Sequence, residues 1–386
     1  MRTYEKTHSW LTFFANLDRI PFNLWIMLGE CQSKCEHIGD APILPDTAKE
    51  LYRLSLIKGA VATTAIEGNT LTEKEVKDYL DGNLRVSQSR EYQVREVDNI
   101  IKACNDILDV IKSGSTPHLD VESIKALNRR ILDGLTVDSH VTPGELRKVS
   151  VGVLGYRGAP AEDCEYLLES LCDWLNGPKF KAPNDGMIFV FAIIKAVLAH
   201  LYIAWIHPFG DGNGRTARLI EFIILISSGV PATAAHLLSN HYNQTRPRYY
   251  RELKNASESK GDIIPFLTYA VQGLLDGLRE QVEAIQGQQW KVVWRDFVYR
   301  TIKGRSEPVK QRKQRLVFAL SDRKEPLPIR EIVELPQLVR LYSNPGSSIL
   351  KHDIDELVEE GLLVRYKGKI RANLEAISGF KNIAAV

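Results

Sequence analysis

The residues best placed to do chemistry lie in one run, His207-Pro-Phe-Gly-Asp-Gly-Asn-Gly-Arg-Thr-Ala-Arg218. Gly212, Asn213 and Gly214 follow a strongly apolar stretch and precede an amphipathic one, so their backbone N–H groups are expected at a helix N-terminus. Such an end carries unsatisfied donors and the positive pole of the helix dipole, and glycines let an anion come close. Arg215 and Arg218, three residues apart, add guanidinium forks aimed at the same pocket. Asp211 is placed to hold a divalent cation, since Mg2+ is generally bound by one or two carboxylates plus phosphate oxygens. His207 supplies an imidazole that titrates near neutrality, a natural general base for an incoming hydroxyl. The chemistry indicated is attack of a hydroxyl at a phosphate.

Singly, these residues have plainer readings: a lone histidine is usually structural, two arginines on a helix are usually a solvated face, and Gly-Asn-Gly is usually a turn. Their joint spacing carries the weight. The pattern His207-x-Phe209-x-Asp211-Gly212-Asn213-Gly214-Arg215-x-x-Arg218 resembles the signature of the Fic (filamentation induced by cAMP) family at every defining position. Eight fixed positions, at roughly one chance in twenty each, leave little room for coincidence.

The resemblance implies a protein adenylyltransferase. His207 would deprotonate a Ser, Thr or Tyr hydroxyl of a target protein, or of the enzyme itself; that hydroxyl would attack the α-phosphate of ATP and expel pyrophosphate. Asp211 would bind Mg2+. Gly212, Asn213 and Gly214 would form an anion hole, with the Asn213 side chain steadying the α-phosphate, and Arg215 and Arg218 would hold the β- and γ-phosphates. Positioning and charge stabilisation carry such a reaction, and no covalent enzyme intermediate is required. Phe209 reads as a core anchor for the loop. The family's flap, a hairpin that lays the target's backbone along a β edge, falls at residues 148–158. Leu154, Gly155, Tyr156 and Arg157 lie in it and are expected to border the ATP site. Gly144-x-x-Arg147 just ahead fits the family pattern. Asn243 and the pair Tyr249-Tyr250 fall where relatives contact the nucleotide, although aromatic rings there are equally at home in a core.

Thr63-Thr-Ala-Ile-Glu67-Gly68-Asn69 matches the inhibitory motif of the Fic subgroup whose inhibitory helix lies on the N-terminal side. It implies a restraint in which Glu67, with Thr63 heading the motif, pairs bidentately with Arg218 and removes the fork that should grip the γ-phosphate. The plainer reading, a helix end capped by Gly68, accounts for Gly68 alone. In some relatives the same glutamate positions water to remove AMP, so restraint and de-AMPylation both stand open for Glu67. Rival readings are UMPylation, phosphorylation, and a DNA-binding regulator with a degenerate core. Gly214 speaks against the phosphorylating Doc-type relatives, which have a lysine there, and neither His207 nor an arginine is missing.

The elements that must position these residues are mainly helical. Apolar residues recur at three- and four-residue spacing through much of 45–135, 162–175, 187–206, 215–228 and 249–286. Between Arg147 and Pro160, β-branched residues punctuated by glycine predict the short hairpin. From Gln286 the character changes: Gln-Gly-Gln-Gln-Trp opens a new helical stretch, 327–333 and 345–361 read as helices, and 362–371 reads as strand, glycine turn, strand, the order of a winged helix. The expected fold class is mainly α, a Fic-type helical bundle with a short β-hairpin flap and a small C-terminal winged-helix domain. Its expected divisions are 1–115, a helical region carrying the motif 63–69; 116–285, the Fic core; and 286–386, a helical linker and winged-helix-like domain.

Composition bounds the partners. The 386 residues are 44% hydrophobic and 25% charged, and 50 basic against 48 acidic side chains leave a formal charge of +2, so no polyelectrolyte signal points to nucleic acid or membrane. Locally, Lys310-Gln-Arg-Lys-Gln-Arg315 and Arg365-Tyr-Lys-Gly-Lys-Ile-Arg371 are basic. Yet the candidate recognition helix carries Asp353, Asp355, Glu356, Glu359 and Glu360, which would repel phosphates. Protein contact or dimerisation is therefore favoured over DNA, and a homodimer follows from relatives. The five cysteines are scattered and no secretory signal precedes them, so reduced thiols and a cytoplasmic location are expected. Cys31 and Cys35 are spaced like metal ligands, but no second pair completes a zinc site. Residues 187–206 are apolar enough to span a bilayer, but Lys195, at a cost of roughly 2.5–3.5 kcal/mol there, and His200 predict a buried core helix instead.

Overall fold

The computed structural model describes residues 2–153, 156–323, 325–342 and 347–378. The chain divides into two compact units, Met1–Ile285 and Gln286–Val386. In the first, α1 (Thr3–Thr7), α2 (Phe22–Gly39), α3 (Pro45–Ile66), α4 (Glu73–Leu80), α5 (Glu91–Lys112) and α6 (Val121–Ile131) precede a two-stranded hairpin, β1 (Gly152–Val153) and β2 (Tyr156–Arg157). Then come α7 (Cys164–Asn176), α8 (Ile188–Ile206), α9 (Asn213–Ser227), α10 (Leu237–Gln244) and α11 (Arg246–Glu258). The unit ends within α12 (Ile264–Thr301).

Helix α8 is apolar on every side and is buried on every side, which makes it the axis of this unit. It packs against α9, α7 and α2, while α9 also meets α6, α5 and α3. His200 is buried and Lys195 half-buried, and the stretch long and apolar enough to cross a membrane is mostly buried within this unit, as a core helix is. The amphipathic α5 turns Val97, Ile100, Cys104 and Leu108 inward at three- and four-residue spacing. Asp120 caps α6 by accepting from the Ser123 N–H at 2.7 Å. One hydrophobic core runs from Tyr4 to Ile285, drawing on α3 and α5 as well as on α8 and α9. The expected division at 115/116 is therefore no boundary in packing. All five cysteines are free and buried, Cys31 and Cys35 on the inner face of α2.

The hairpin is shorter than the run of β-branched residues suggests: Gly152 pairs with Arg157 and Val153 with Tyr156, antiparallel. The apolar pattern from 249 to 286 is broken rather than continuous, since α11 ends at Glu258 and α12 begins at Ile264. Conversely, Gln286 and Gly287 open no new helix, because α12 continues through them to Thr301.

The second unit contains α13 (Glu307–Ser321), α14 (Ile329–Val333), α15 (Val339–Tyr342), α16 (Ser347–Glu359) and the hairpin β3 (Leu363–Tyr366) and β4 (Lys369–Ala372). The short α15 was not foreseen, and Leu327 adds a bridge to Ile370 at the edge of the hairpin. Its core joins Trp294, Leu316, Ile332, Leu350, Ile354 and Ile370. The charges expected to oppose one another on its surface are mostly paired. Arg312 holds the buried Asp353 through two hydrogen bonds of 2.6 and 3.0 Å, and Tyr342 donates to the same carboxylate at 2.8 Å. Lys313 pairs with Glu356, Arg305 with Glu360 and Arg365 with Asp355. These contacts draw Arg312, Lys313, Arg305 and Arg365 onto carboxylates of the expected recognition helix and its end.

Candidate active site

His207 ends α8 in the left-handed region, φ 51° and ψ 59°, with its N–H donating to the Ile203 carbonyl at 2.8 Å. Pro208 accounts for the end of the helix at His207, because a following proline disfavours the right-handed helical conformation, but it favours extended rather than left-handed backbone. A non-glycine residue held there costs about 1–3 kcal/mol. Arg147 supplies the compensation: Nε donates to the His207 carbonyl at 2.7 Å, Nη1 to Val149 at 2.7 Å and Nη2 to Ala159, while its own N–H donates to Pro208 at 3.0 Å. The Gly144-x-x-Arg147 segment thus fastens the base of the hairpin to the turn carrying His207. Burial pushes the His207 imidazole down to about 4; the nearby Arg147 adds to this, and the Ala204 backbone and the Glu67 and Asp211 carboxylates pull against it. The ring is neutral at neutral pH.

The loop that follows is shaped by amides. Asn213 accepts from the Phe209 N–H at 2.9 Å and donates to the Phe209 carbonyl at 2.8 Å. The side-chain oxygen and one of its two amide hydrogens are thus engaged in closing the loop. Phe209 is buried, as an anchor should be. Asn128 on α6 donates to the Asp211 carbonyl at 2.9 Å and accepts from the Gly144 N–H at 2.9 Å, a tie absent from the expectations. Helix α9 opens at Asn213, two residues before Arg215, with Gly212 as its N-cap. Asn213 and Gly214 therefore sit where helix N–H groups lack an intrahelical acceptor. The Gly212 N–H is taken at 2.5 Å by the Asp211 carboxylate.

Thr63 and Glu67 reach this helix from α3. Glu67 is the C-cap of α3, Gly68 follows at φ 106°, and the bonds Gly68 N–H to Ala65 and Asn69 N–H to Thr64 make a Schellman cap. The plainer reading, a helix end capped by Gly68, is what the backbone shows, and this cap presents Glu67 to Arg218. Arg218 Nη2 donates to Glu67 Oε1 at 2.5 Å and to the Thr63 carbonyl at 3.0 Å, and Nε donates to Thr63 Oγ1 at 2.6 Å. The expected bidentate pairing is thus replaced by a single Arg218–Glu67 bond plus a second anchor at Thr63. A side chain at position 214 would collide with the Glu67 carboxylate, so Gly214 is what lets that carboxylate lie against the head of α9. Burial pushes the Glu67 carboxyl up, but the charge and hydrogen bond of Arg218, with Arg215 and His207 behind, outweigh it and hold it below the ordinary range.

Arg215 shares a small cavity with Arg218, and neither is among the residues lining the larger cavity over the loop. Arg215 is buried, with Nη1 donating to Glu96 Oε1 at 2.8 Å and Nη2 to Asp211 Oδ1 at 2.9 Å. Glu96, on α5, was missed by sequence reading, and nothing local in its surroundings marks it.

A cavity of about 420 Å3 opens over these groups, lined by Glu67, Tyr156, His207, Asp211–Gly214, Tyr249 and Tyr250, with Arg251 and Lys254 at its border. Tyr249 is buried and bonds His200 at 2.8 Å, so it belongs as much to the core as to the wall. The Tyr250 hydroxyl donates to the Ile66 carbonyl at 3.3 Å, holding the last turn of α3. Tyr156 donates to the Trp205 carbonyl at 2.8 Å from the hairpin. Arg157 is exposed and its side chain meets Ser150 rather than the cavity, while its carbonyl bonds His8 at 2.8 Å. Leu154 and Gly155 lie outside the described residues, and Asn243 is not among the cavity's lining. Among the described residues no cluster of three or more metal-ligating side chains occurs. Asp211, its side chain 46% exposed at the cavity, fits a cation that brings its remaining oxygen ligands on phosphates.

Residues 118–225 match the Fic/DOC family. Among curated proteins, the chain is 26% identical over 243 residues to protein adenylyltransferase fic-1 of Caenorhabditis elegans, covering 63% of this chain and 44% of that protein. It is 32% identical over 213 residues to protein adenylyltransferase Fic of Drosophila willistoni, covering 54% and 38%. The chain thus spans less than half the length of these relatives. A crystal structure of a Fic family protein from Desulfovibrio desulfuricans G20 superposes with a TM-score of 0.57 at 21% identity, covering 93% of this chain and 97% of that one. Fic-1 from C. elegans superposes at 0.53 and 23% identity, covering 69% and 73%. With the motif geometry, the helical fold and these matches agreeing, this chain is identified as one that carries a Fic/DOC-family domain over residues 118–225.

Proposed function

We propose that this protein is a protein adenylyltransferase held at rest by Glu67. One observation carries the reading: the Glu67 carboxylate lies against Gly214 and Arg218 at the head of α9, so the protein's own anion fills an anion site. A target hydroxyl, threaded along the 152–157 hairpin, loses its proton to neutral His207 and its oxygen bonds the α-phosphorus of ATP. The α–β bridging bond breaks and pyrophosphate departs. The N-terminal N–H groups of α9 receive the charge that develops on the α-phosphate. Once Glu67 withdraws, Arg218 is free to grip the terminal phosphates. Asp211 would hold Mg2+ with the phosphates, and the ion would neutralise the charge on the departing pyrophosphate.

Self-modification is the simplest assay. Incubation with ATP labelled at the α-phosphate should leave wild type nearly unlabelled, label Glu67→Gly strongly and leave His207→Ala blank. Labelling of Glu67→Gly that is undiminished when His207→Ala is added to it would overturn the reading. A second reading, removal of AMP, draws on the 32% exposure of the Glu67 side chain at the cavity, where it could orient water. UMPylation and phosphorylation are distinguished by the mass added to the product. For the second unit, the pairing of Arg312, Lys313, Arg305 and Arg365 draws four cations around α16 away from phosphates, which favours a protein contact such as homodimerisation over DNA there.

A further inference from the structure

The inhibitory turn and the first motif arginine are joined by a carboxylate that the proposed function does not use. Glu96 on α5 divides its two oxygens: Oε1 accepts from Arg215 at 2.8 Å, and Oε2 accepts from the Asn69 side chain at 2.9 Å. Asn69 is two residues beyond Glu67 and closes the cap of α3. Its amide also donates to the Gln93 carbonyl at 2.8 Å and accepts from the Leu71 N–H at 3.0 Å, and the residue is buried. The turn carrying Glu67 is therefore seated on α5 through Asn69, and Glu96 is part of that seat.

The same carboxylate acts on Arg215. That guanidinium meets Glu96 on one nitrogen and Asp211 on another, and its side chain is only 5% exposed. Two carboxylates share one cation, so its charge is already spent within the protein and a phosphate must compete for it. Glu67 restrains Arg218 in the same way from the same turn.

Resting on the reading of the site as an ATP site, the geometry points to Glu96 as a positioning residue that withholds Arg215 from phosphate while seating the inhibitory turn. The chain Asn69–Glu96–Arg215 makes the two restraints interdependent. A nucleotide that draws Arg215 from Glu96 loosens the seat of Glu67, and loss of the Glu67 seat frees Glu96.

The test is titration of Mg-ATP into the full chain, with KM for ATP and kcat for self-labelling read separately. Glu96→Gln keeps the shape and removes the charge. In the Glu67→Gly background it is expected to lower the ATP dissociation constant and KM together, by roughly three- to tenfold, the scale of one ordinary net hydrogen bond, since only the competition for Arg215 is relieved. A scaffold role would instead lower the melting temperature and leave KM unchanged or raised. Asn69→Ala provides the independent arm: it should tighten ATP binding when Glu67 is present and have no effect in Glu67→Gly, where the turn carries no carboxylate. Equal effects in both backgrounds, or none in either, would overturn the coupling. If Glu67→Gly binds ATP more tightly than wild type but Glu96→Gln adds nothing, the role of Glu96 alone fails. If Glu67→Gly itself gains no ATP affinity, the ATP-site reading fails and this inference with it.

Discussion

Glu67 and Arg218, 151 residues apart in sequence, meet through a single 2.5 Å hydrogen bond, and the carboxylate rests in the space kept clear by the absence of a side chain on Gly214. On the proposed reading, restraint and catalytic groove share one surface. Whatever binds the head of α9 must first displace an anion belonging to the protein.

Removing that anion should be activating. Glu67→Gly is expected to raise AMP transfer by roughly ten- to a hundredfold, the worth of one buried charge-assisted hydrogen bond. Thr63→Ala, which removes the 2.6 Å bond to Arg218 Nε, should give a smaller rise, because Glu67 remains. Incorporation of label from ATP measures both, and a silent Glu67→Gly would count against the restraint.

The pH dependence follows from burial. His207 is held at about 4, so it is neutral and able to accept a proton well below neutrality. In Glu67→Gly the loss of a nearby negative charge lowers it further, and kcat/KM for that variant should stay flat down to roughly pH 5, without an inflection near the ordinary histidine value. The folded imidazole titrates below the unfolded one, so stability declines as pH falls from about 6.5, where the unfolded chain takes up a proton that the folded chain refuses. The Glu67 carboxyl is depressed, so the Arg218 pairing is present above the ordinary carboxylate range and lost only as pH falls beneath it. Mild acid should not release the restraint. Rate profiles of wild type and Glu67→Gly between pH 5 and 9 would check each part.

Gly214→Ala offers a contrasting outcome. The added methyl would meet both the Glu67 carboxylate and the Arg218 guanidinium, so it should weaken the restraint and obstruct the anion site together. Combined with Glu67→Gly it is expected to cut kcat/KM by on the order of a hundredfold, since the helix-head donors can no longer approach a phosphate. Activity equal to that of Glu67→Gly alone would place the phosphate elsewhere.

Arg147 should be costly to replace although it never meets the cavity. It is buried and its fork satisfies the carbonyls of His207, Val149 and Ala159. Arg147→Ala strands those acceptors and frees the left-handed His207 turn, with an expected loss of about 2–4 kcal/mol in stability and of most activity. Thermal melting beside the labelling assay would register both; a stable, active variant would show that the His207 turn holds without the clamp.

The sequence by itself determined which residues make up the candidate site and much of its local form. The spacing of His207, Asp211, Gly214, Arg215 and Arg218 is a property of one turn and one helix start, so it is legible without any fold. Pro208 ends α8 at His207, and Gly68 ends α3 at Glu67, by backbone rules that act over a few residues. Only the tertiary structure decided how the charges are shared. Arg215 finds Glu96 across 119 positions of sequence, and Asn128 finds the Asp211 carbonyl across 83. The same holds for Asn213, whose amide turned out to close its own loop, and for Arg312 and Lys313, whose charges are spent on α16. A side chain's type limits which partners it accepts, but which one it meets depends on helix packing set by the whole core, and no short window of sequence contains that information.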